Sequence, residues 1–136
     1  MAKLSQPYGI TLPLMLGPQG YFAQSYNLVE QVKSNLTLLL QTRKGERRMN
    51  PEFGSGLWNI LFENYKDDFT PVIENTIKTD IQSWMPYVSV QEVKSNVNTT
   101  ERDGNYKIYV SVLFTVPSVG LTTTQTLDLA MNTMNV

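Results

Sequence analysis

The 136-residue sequence contains neither cysteine nor histidine. Without cysteine the chain can form neither disulfides nor thiolate metal sites, and without histidine it lacks the commonest general base and the commonest metal ligand. We therefore expect no cofactor and no bound metal. Charged residues are also scarce, at 17%, against roughly a quarter in soluble domains. A surface that partners cover needs fewer charges, so this scarcity favours a subunit of an assembly.

The sequence also lacks an excess of basic over acidic residues, and it has no long apolar run. The formal net charge is −1, whereas phosphate binding needs an excess of Lys and Arg, so we expect no nucleic-acid partner. No apolar run approaches the roughly 20 residues that span a bilayer, and we expect no membrane partner. Pro7, Gly9 and Pro13 interrupt the apolar N-terminus, unlike the continuous hydrophobic region of a secretory signal. We expect the protein to remain in the cytoplasm where it is made.

The first 26 residues are predicted to form an extended N-terminal arm, followed by a single α+β domain over residues 27–136. Residues 1–24 contain three prolines, three glycines and one charged residue, Lys3. Prolines and glycines at this density disfavour helices and regular strands. The arm is nevertheless rich in Leu, Met and aromatic residues, so it is too apolar for a disordered tail. It either packs on its own domain or docks on a neighbouring subunit.

Two long helices are predicted from apolar periodicity. The first begins after Asn27, an N-cap residue, and ends at Gly45, with Arg43 and Lys44 in its last turn. The second begins with Thr70 as its N-cap and ends near Met85, before Pro86. The predicted core positions are Leu28, Val32, Leu36, Leu39, Leu40, Ile73, Ile77, Ile81 and Trp84.

The last third of the chain alternates as β-strands do. We predict a strand from Val88 to Val97 with a bulge near Gln91-Glu92, a loop of about seven residues that contains Asp103-Gly104, a central strand 106–116, and an edge strand 121–131. Residues 108–131 carry one charge, Asp128, although exposed strand edges are usually protected by charges. Either another chain pairs with this edge, or the N-terminal arm closes the sheet. The predicted pairing residues are Val110, Val112, Phe114, Thr124, Thr126 and Leu127.

The stretch between the two long helices, TRKGERRMNPEFGSGLWNILFE over residues 42–63, combines a basic cluster, a turn and a short apolar helix. Phe53 is predicted to enter the core, and Gly54 and Gly56 to adopt positive φ. The Gly-Ser-Gly segment lacks both the histidine of a nucleophile elbow and the Gly-Lys-Ser/Thr of a phosphate loop, so we interpret it as turn geometry.

These residues resemble the baseplate wedge proteins of contractile-tailed phages, also called sheath initiators, whose relatives occur in phage-like bacteriocins and type VI secretion baseplates. Gly-Glu-Arg at 45–47 and Pro-x-Phe-Gly-x-Gly-Leu at 51–57 match the family, and the resemblance covers roughly residues 27–117. The family usually carries Glu-Pro-Arg where this chain has Met85-Pro86-Tyr87, so only the helix-ending role of the proline is carried over. Trp84, Met85 and Tyr87 are predicted to form an apolar patch instead.

The resemblance implies an α+β fold similar to the polymerising domain of tail sheath proteins, and a structural role in the virion's tail baseplate. It implies six copies around the tail tube, with the sheath protein, other wedge subunits and tube or tube-initiator proteins as partners. Sheath subunits would add strands to an exposed sheet edge. The residues expected to make family-motif and assembly contacts are Arg43, Lys44, Gly45, Glu46, Arg47, Pro51, Phe53, Gly54, Gly56, Leu57, Phe62, Trp84, Pro86 and Tyr87.

A different class of function, a glycoside hydrolase, follows from the lysozyme-like label that members of this family often bear. Such an enzyme needs two carboxylates of different acidity across a cleft. The candidates are Glu46, Glu52, Glu63, Asp67 and Asp68. Glu46 lies among arginines, which favour its ionised form and make it a poor acid. We therefore expect no catalytic residues. A type VI secretion baseplate subunit remains a third possibility.

Overall fold

The computed structural model describes residues 6–18, 20–62, 70–100, 105–117 and 120–130. Within these residues, three helices and two antiparallel sheets form an α+β fold, which confirms the predicted class. None of these helices is long and apolar enough to cross a membrane. In chain order the elements are β1 (Gly9–Ile10), β2 (Gln24–Ser25), α1 (Leu28–Gln41), α2 (Leu57–Phe62), α3 (Thr70–Trp84), β3 (Ser89–Thr100), β4 (Asn105–Val116) and β5 (Leu121–Ala130).

Helix α1 begins as predicted but ends earlier. The Asn27 side chain accepts a hydrogen bond of 3.0 Å from the Val29 N–H, which confirms the N-cap. The predicted end at Gly45 is wrong, because Thr42 has an extended backbone, with ψ of 130°, and donates its hydroxyl to the Leu38 carbonyl at 2.6 Å. Gly45 does have a φ of +90°, but within a turn beyond the helix. Arg43 and Lys44 therefore lie outside the last turn.

Helix α3 ends where proline requires it to end. The Met85 N–H still donates to the Ile81 carbonyl at 2.7 Å, and Pro86 follows in a turn. The predicted N-cap is wrong, since Thr70 is itself helical and not a cap before the helix. The apolar face is confirmed: Ile73, Ile77 and Ile81 are buried.

The larger sheet has the order β3-β4-β5, so β4 is central and β5 lies at an edge, as predicted. A register shift between Val90 and Glu92 confirms the bulge. Pairing of β3 with β4 continues to Thr100 and Asn105, so the connection has four residues, fewer than the seven predicted. The connection is shorter because hydrogen-bonded pairing of β3 with β4 continues further along both strands than predicted. The Asp103-Gly104 turn lies outside the described residues.

The central position of β4 corrects part of the predicted pairing edge. Val110, Val112 and Phe114 are hydrogen-bonded partners of both β3 and β5. Their backbone is therefore not available to another chain, because both edges of β4 are already occupied. Their side chains are fully buried instead, as part of the core.

The core lies between one face of this sheet and the helices. Alternate residues of β4, from Val110 to Val116, are buried against α1 and α3. Leu36, Leu39 and Leu40 of α1 belong to the same cluster, so the leucine face of α1 is core and not a seam for a partner helix. Apolar residues alternate along the strand and recur about every 3.6 residues along the helices, so all these side chains point into one hydrophobic core.

The described part of the arm packs on its own domain. Strands β1 and β2 pair with each other, which the prediction of no regular strand missed. The Leu12 N–H donates to the Ser34 hydroxyl at 3.1 Å, and the Ser25 hydroxyl donates to Gln31 at 2.5 Å, so polar contacts hold the arm on α1. Because β1 and β2 form a separate sheet, the described arm does not close the larger one. Its exposed large side chains are Tyr8, Ile10, Leu14, Met15, Leu16, Tyr21, Phe22 and Tyr26.

We predict that Ile77→Ala lowers the free energy of unfolding by about 2–5 kcal/mol, because Ile77 is fully buried between the helices and the sheet. Val72→Ala on the same helix is the matched control, since Val72 is 43% exposed, and it should change stability by less than about 0.5 kcal/mol. Urea unfolding of both variants measures the difference. Equal effects would contradict this assignment of the core.

Candidate functional site

The family-like segment folds back on the end of α1. We call residues 42–56 the motif loop. The Ser55 N–H donates to the Thr42 carbonyl at 2.8 Å, and Arg43 and Ser55 form an isolated parallel bridge. Within the loop, the Gly45 N–H donates to the Pro51 carbonyl at 2.6 Å. These bonds bring the two ends of the loop together and place the start of α2 beside α3.

A buried carboxylate on α3 holds the loop in place. Asp80 is 4% exposed. Its Oδ2 atom accepts hydrogen bonds from the Ser55 hydroxyl at 2.8 Å and from the Gly56 N–H at 3.1 Å. Its Oδ1 atom lies 3.4 Å from the Lys44 ammonium. A buried carboxylate is costly unless it is paired and hydrogen-bonded, and here one carboxylate is satisfied entirely by the motif loop.

Sequence reasoning missed Asp80, although the sequence does contain a signal. Asp80 lies three residues after Ile77 and four before Trp84, so it falls on the apolar face of α3. A carboxylate at such a position requires a polar partner from another element. The Gly-Ser-Gly segment offers a hydroxyl and free N–H groups, but nothing in the sequence alone pairs the two.

The two glycines of the segment have different reasons to be glycine. Gly54 has a φ of +130°, and a Cβ atom there would lie 2.6 Å from the Thr42 carbonyl oxygen. Gly56 does not have positive φ, so that prediction is wrong. A Cβ at Gly56 would instead lie 3.3 Å from the Thr76 methyl group. Close approach to α3, and not turn geometry, is the constraint at Gly56.

The predicted basic cluster makes contacts within the chain. The Arg43 guanidinium lies 4.3 Å from the centre of the Trp58 ring, and the Arg47 guanidinium lies 4.4 Å from that of Phe53. Glu46 accepts a hydrogen bond of 3.0 Å from the Arg43 N–H. Lys44 pairs with Asp80, as described above. The charges of Arg43, Lys44 and Arg47 are therefore held by contacts within the chain and are not simply solvated.

The loop and the end of α3 together form a groove of about 210 Å³. Phe53 is half-buried, packs against the core and contacts Trp84 edge to face at 5.1 Å, which places it at the margin of the core. Trp84 and Tyr87 line the groove with Met85, as the predicted apolar patch requires, but Met85 is buried. Tyr87 is 49% exposed, and its hydroxyl accepts a hydrogen bond from Asn35 at 3.3 Å.

The structure thus groups most of the predicted contact residues around one loop. Leu57 is buried in the core, Pro51 and Pro86 are exposed in turns, and Phe62 is the last described residue of α2. The strand residues Thr124, Thr126 and Leu127 lie apart from the loop, on β5. Among the described residues, no three Asp, Glu, Cys or His side chains group as metal ligands would. Assembly roles for all these residues stay predictions.

Comparison with known proteins identifies similar chains. The family described as "Baseplate wedge protein gp25" matches residues 26–119. The protein of that name from Enterobacteria phage T4 is 32% identical over 88 residues, which cover 65% of this chain and 64% of the phage protein. The match therefore spans just under two thirds of that relative's length.

Two solved structures share the fold at 19% identity. A Geobacter sulfurreducens crystal structure, provisionally named a tail lysozyme, superposes with a TM-score of 0.68 and covers 80% of this chain and 96% of its own. A chain in the sixfold-symmetrised cryo-EM baseplate of the anti-feeding prophage superposes with a TM-score of 0.55, covering 93% of this chain and 86% of its own.

We predict that Asp80→Asn destabilises the protein by about 1–3 kcal/mol, because a neutral amide weakens the bonds from Ser55, Gly56 and Lys44 together. The control is Glu92→Gln, the same kind of change in the exposed Glu92–Lys94 pair at 3.3 Å, which should cost less than about 1 kcal/mol. Chemical unfolding measures both. Asp80 does not hold the loop if the two variants are equally stable.

Gly54→Ala should lower the melting temperature more than Gly45→Ala does. Both residues have positive φ, which costs an alanine about 1–2 kcal/mol, but only at Gly54 would the new Cβ also meet the backbone of Thr42 and Arg43. Nothing lies within 4 Å of a Cβ at Gly45. Calorimetry of the two variants gives the comparison, and a larger loss for Gly45→Ala would refute this explanation.

Proposed function

This chain belongs to the family of baseplate wedge protein gp25, and we propose that it is a structural subunit of a contractile-tail baseplate on which the sheath begins to assemble. Support comes from the family match over residues 26–119 and from the relative in phage T4. The fold is shared with a chain of the anti-feeding prophage baseplate. The single observation that carries the proposal of sheath initiation is the outer edge of β5, with which no strand of the described residues pairs.

The two edges of the larger sheet differ in protection. Strand β3 carries a bulge and the exposed Glu92–Lys94 ion pair, both of which discourage pairing with another chain. Strand β5 runs for ten residues in unbroken register with β4 and contains one charged residue, Asp128. In the described chain β5 pairs with β4 alone. A long, regular and nearly uncharged edge is suited to strand addition.

Register places the residues of β5 on two faces. Leu127 is opposite Val110, a core residue, whereas Thr124 is opposite Leu113 and Thr126 is opposite Ser111. Strand addition would extend the ladder by one strand. Backbone hydrogen bonds would supply affinity, and the two-residue alternation of β-strands would fix the register of the incoming strand, because a slip by one residue exchanges the faces.

The mechanism needs no chemical step. A baseplate that presents six such edges around the tube gives the first ring of sheath subunits preformed partners, and this lowers the cost of nucleating the sheath. The partners would be the sheath protein, other wedge subunits and the tube or tube-initiator proteins, and the location would be the virion's tail baseplate. A secretion-system or bacteriocin baseplate would use the same mechanism.

Hydrolysis has weaker support. The Glu46 carboxylate is bonded to the backbone of its own loop, and Glu52 is exposed in a turn. Glu63, Asp67 and Asp68 lie outside the described residues. The likeness to the Geobacter sulfurreducens protein, at 19% identity, concerns the fold alone. We therefore infer a structural protein and not an enzyme.

Proline substitutions on β5 test sheath initiation. Neighbouring residues of an antiparallel strand direct their N–H groups to opposite edges, so one of Thr124→Pro and Gln125→Pro removes an outward donor and the other a donor to β4. The variant with the nearly unchanged melting temperature is the one with the outward substitution, because it keeps every hydrogen bond between β5 and β4. We expect that variant to enter baseplates but to start no sheath, as seen by electron microscopy of isolated tube–baseplate complexes.

The control is alanine at the same outward position, which keeps the N–H group and should start sheath normally. If the outward proline variant also starts sheath normally, β5 does not template the sheath. If baseplates made without the protein start sheath as usual, the initiator role itself is wrong.

A further inference from the structure

The tip of the motif loop is exposed but not loose. Residues 43–49 are all exposed. The Glu46 N–H donates to the Arg43 carbonyl and the Asn50 N–H donates to the Arg47 carbonyl, both at 3.2 Å. With the Gly45–Pro51 bond and the Asp80 contacts, these turns fix the backbone. A preorganised loop loses little conformational entropy on binding, which is an advantage for a contact surface.

Arg47 is held in a geometry suited to carboxylates. Its guanidinium lies over the Phe53 ring, and Phe53 is in turn fixed against Trp84. A guanidinium stacked on a ring keeps its N–H groups in its own plane, where they can meet a carboxylate with two parallel bonds. Arg48, the next residue in the loop, is also exposed.

Apolar surface lies next to these cations. Met49 is 96% exposed at the loop tip, and Leu38 is 40% exposed in the groove that Arg47 and Tyr87 also line. Single exposed apolar residues are common, but Met, Arg, Tyr and Trp together are the residues enriched where proteins bind proteins. The combination indicates a protein partner and not a small anion.

The charge of this region determines the chemistry of the partner. Residues 42–52 contain four cations and two anions, for a net charge of +2, or +1 once the pairing of Lys44 with Asp80 is counted, whereas the whole chain has −1. The remainder is therefore negative, and the motif loop is a local positive region. Complementary charge would bring an acidic partner to this face and keep basic ones away.

We propose that the surface formed by Leu38, Arg47, Arg48, Met49, Trp84 and Tyr87 binds an acidic segment of another baseplate subunit. Carboxylates of that segment pair with the two arginines, and its apolar side chains pack in the groove and on Met49. The proposal of this contact rests on the proposed baseplate role. It places attachment to the baseplate on one surface of the chain and sheath initiation on another.

Photo-crosslinking in assembled baseplates identifies the partner. Benzoylphenylalanine in place of Met49 should crosslink to one other baseplate subunit, and peptide mass spectrometry should place the link in a segment of net negative charge with apolar residues. A link to a neutral or basic segment, to nucleic acid or to nothing would overturn the proposal. Benzoylphenylalanine in place of Lys78, which is exposed on α3, serves as the control position.

Charge reversal tests whether the surface attaches the chain. Arg48→Glu should lower occupancy in purified baseplates by about tenfold, the effect expected if Arg48 is one of the few residues that dominate the interface, while the melting temperature is retained. Lys78→Glu changes the charge equally and should leave occupancy unaltered. Normal occupancy of the Arg48 variant would refute the proposal. Failure of the sheath-initiation proposal would instead appear as normal sheath on baseplates that lack the chain or carry the outward proline variant, whatever the occupancy of the Arg48 variant, so the two failures are distinguishable.

Discussion

The buried carboxylate of Asp80 determines the geometry of the whole motif loop. One side chain on α3 accepts bonds from Ser55 and Gly56 and pairs with Lys44, so it ties the loop to α3 and sets the start of α2. Because a buried charge without partners is strongly destabilising, the loop has one favourable arrangement. In that arrangement Arg43 contacts the Trp58 ring and Arg47 contacts the Phe53 ring. Order at the exposed tip thus depends on an interaction in the interior.

Helices, strands and the core could be predicted because their signals are local and periodic. The Asn27 cap, the Pro86 end and the alternation in β4 each fix an element by short-range sterics or hydrogen bonding. The predicted end of α1 lies too late because a glycine at 45 suits a helix C-terminus, whereas the backbone is already extended at Thr42. The assignment of Val110, Val112 and Phe114 to the pairing edge conflicts with the correct prediction that β4 is central, because both edges of a central strand are occupied by its neighbours.

Contacts between distant segments explain the rest of what sequence reasoning missed. Asp80 and Ser55 are 25 residues apart, and only the packing of α3 beside the loop shows that a Cβ at Gly56 would crowd the Thr76 methyl group. The arm illustrates the same limit: its prolines and glycines disfavour regular strands, yet two short segments pair across fifteen residues and polar contacts hold them on α1. The family motif itself was recognisable because its glycines, proline and aromatic residue are close together in sequence.

The central claim, that β5 templates the sheath, is tested most directly by cryo-electron microscopy of baseplates that carry only the first sheath ring. The account predicts an extended segment of a sheath subunit hydrogen-bonded along the outer edge of β5, in each of the wedge positions. An edge of β5 that is solvent-exposed, or covered by a subunit other than the sheath protein, would contradict it.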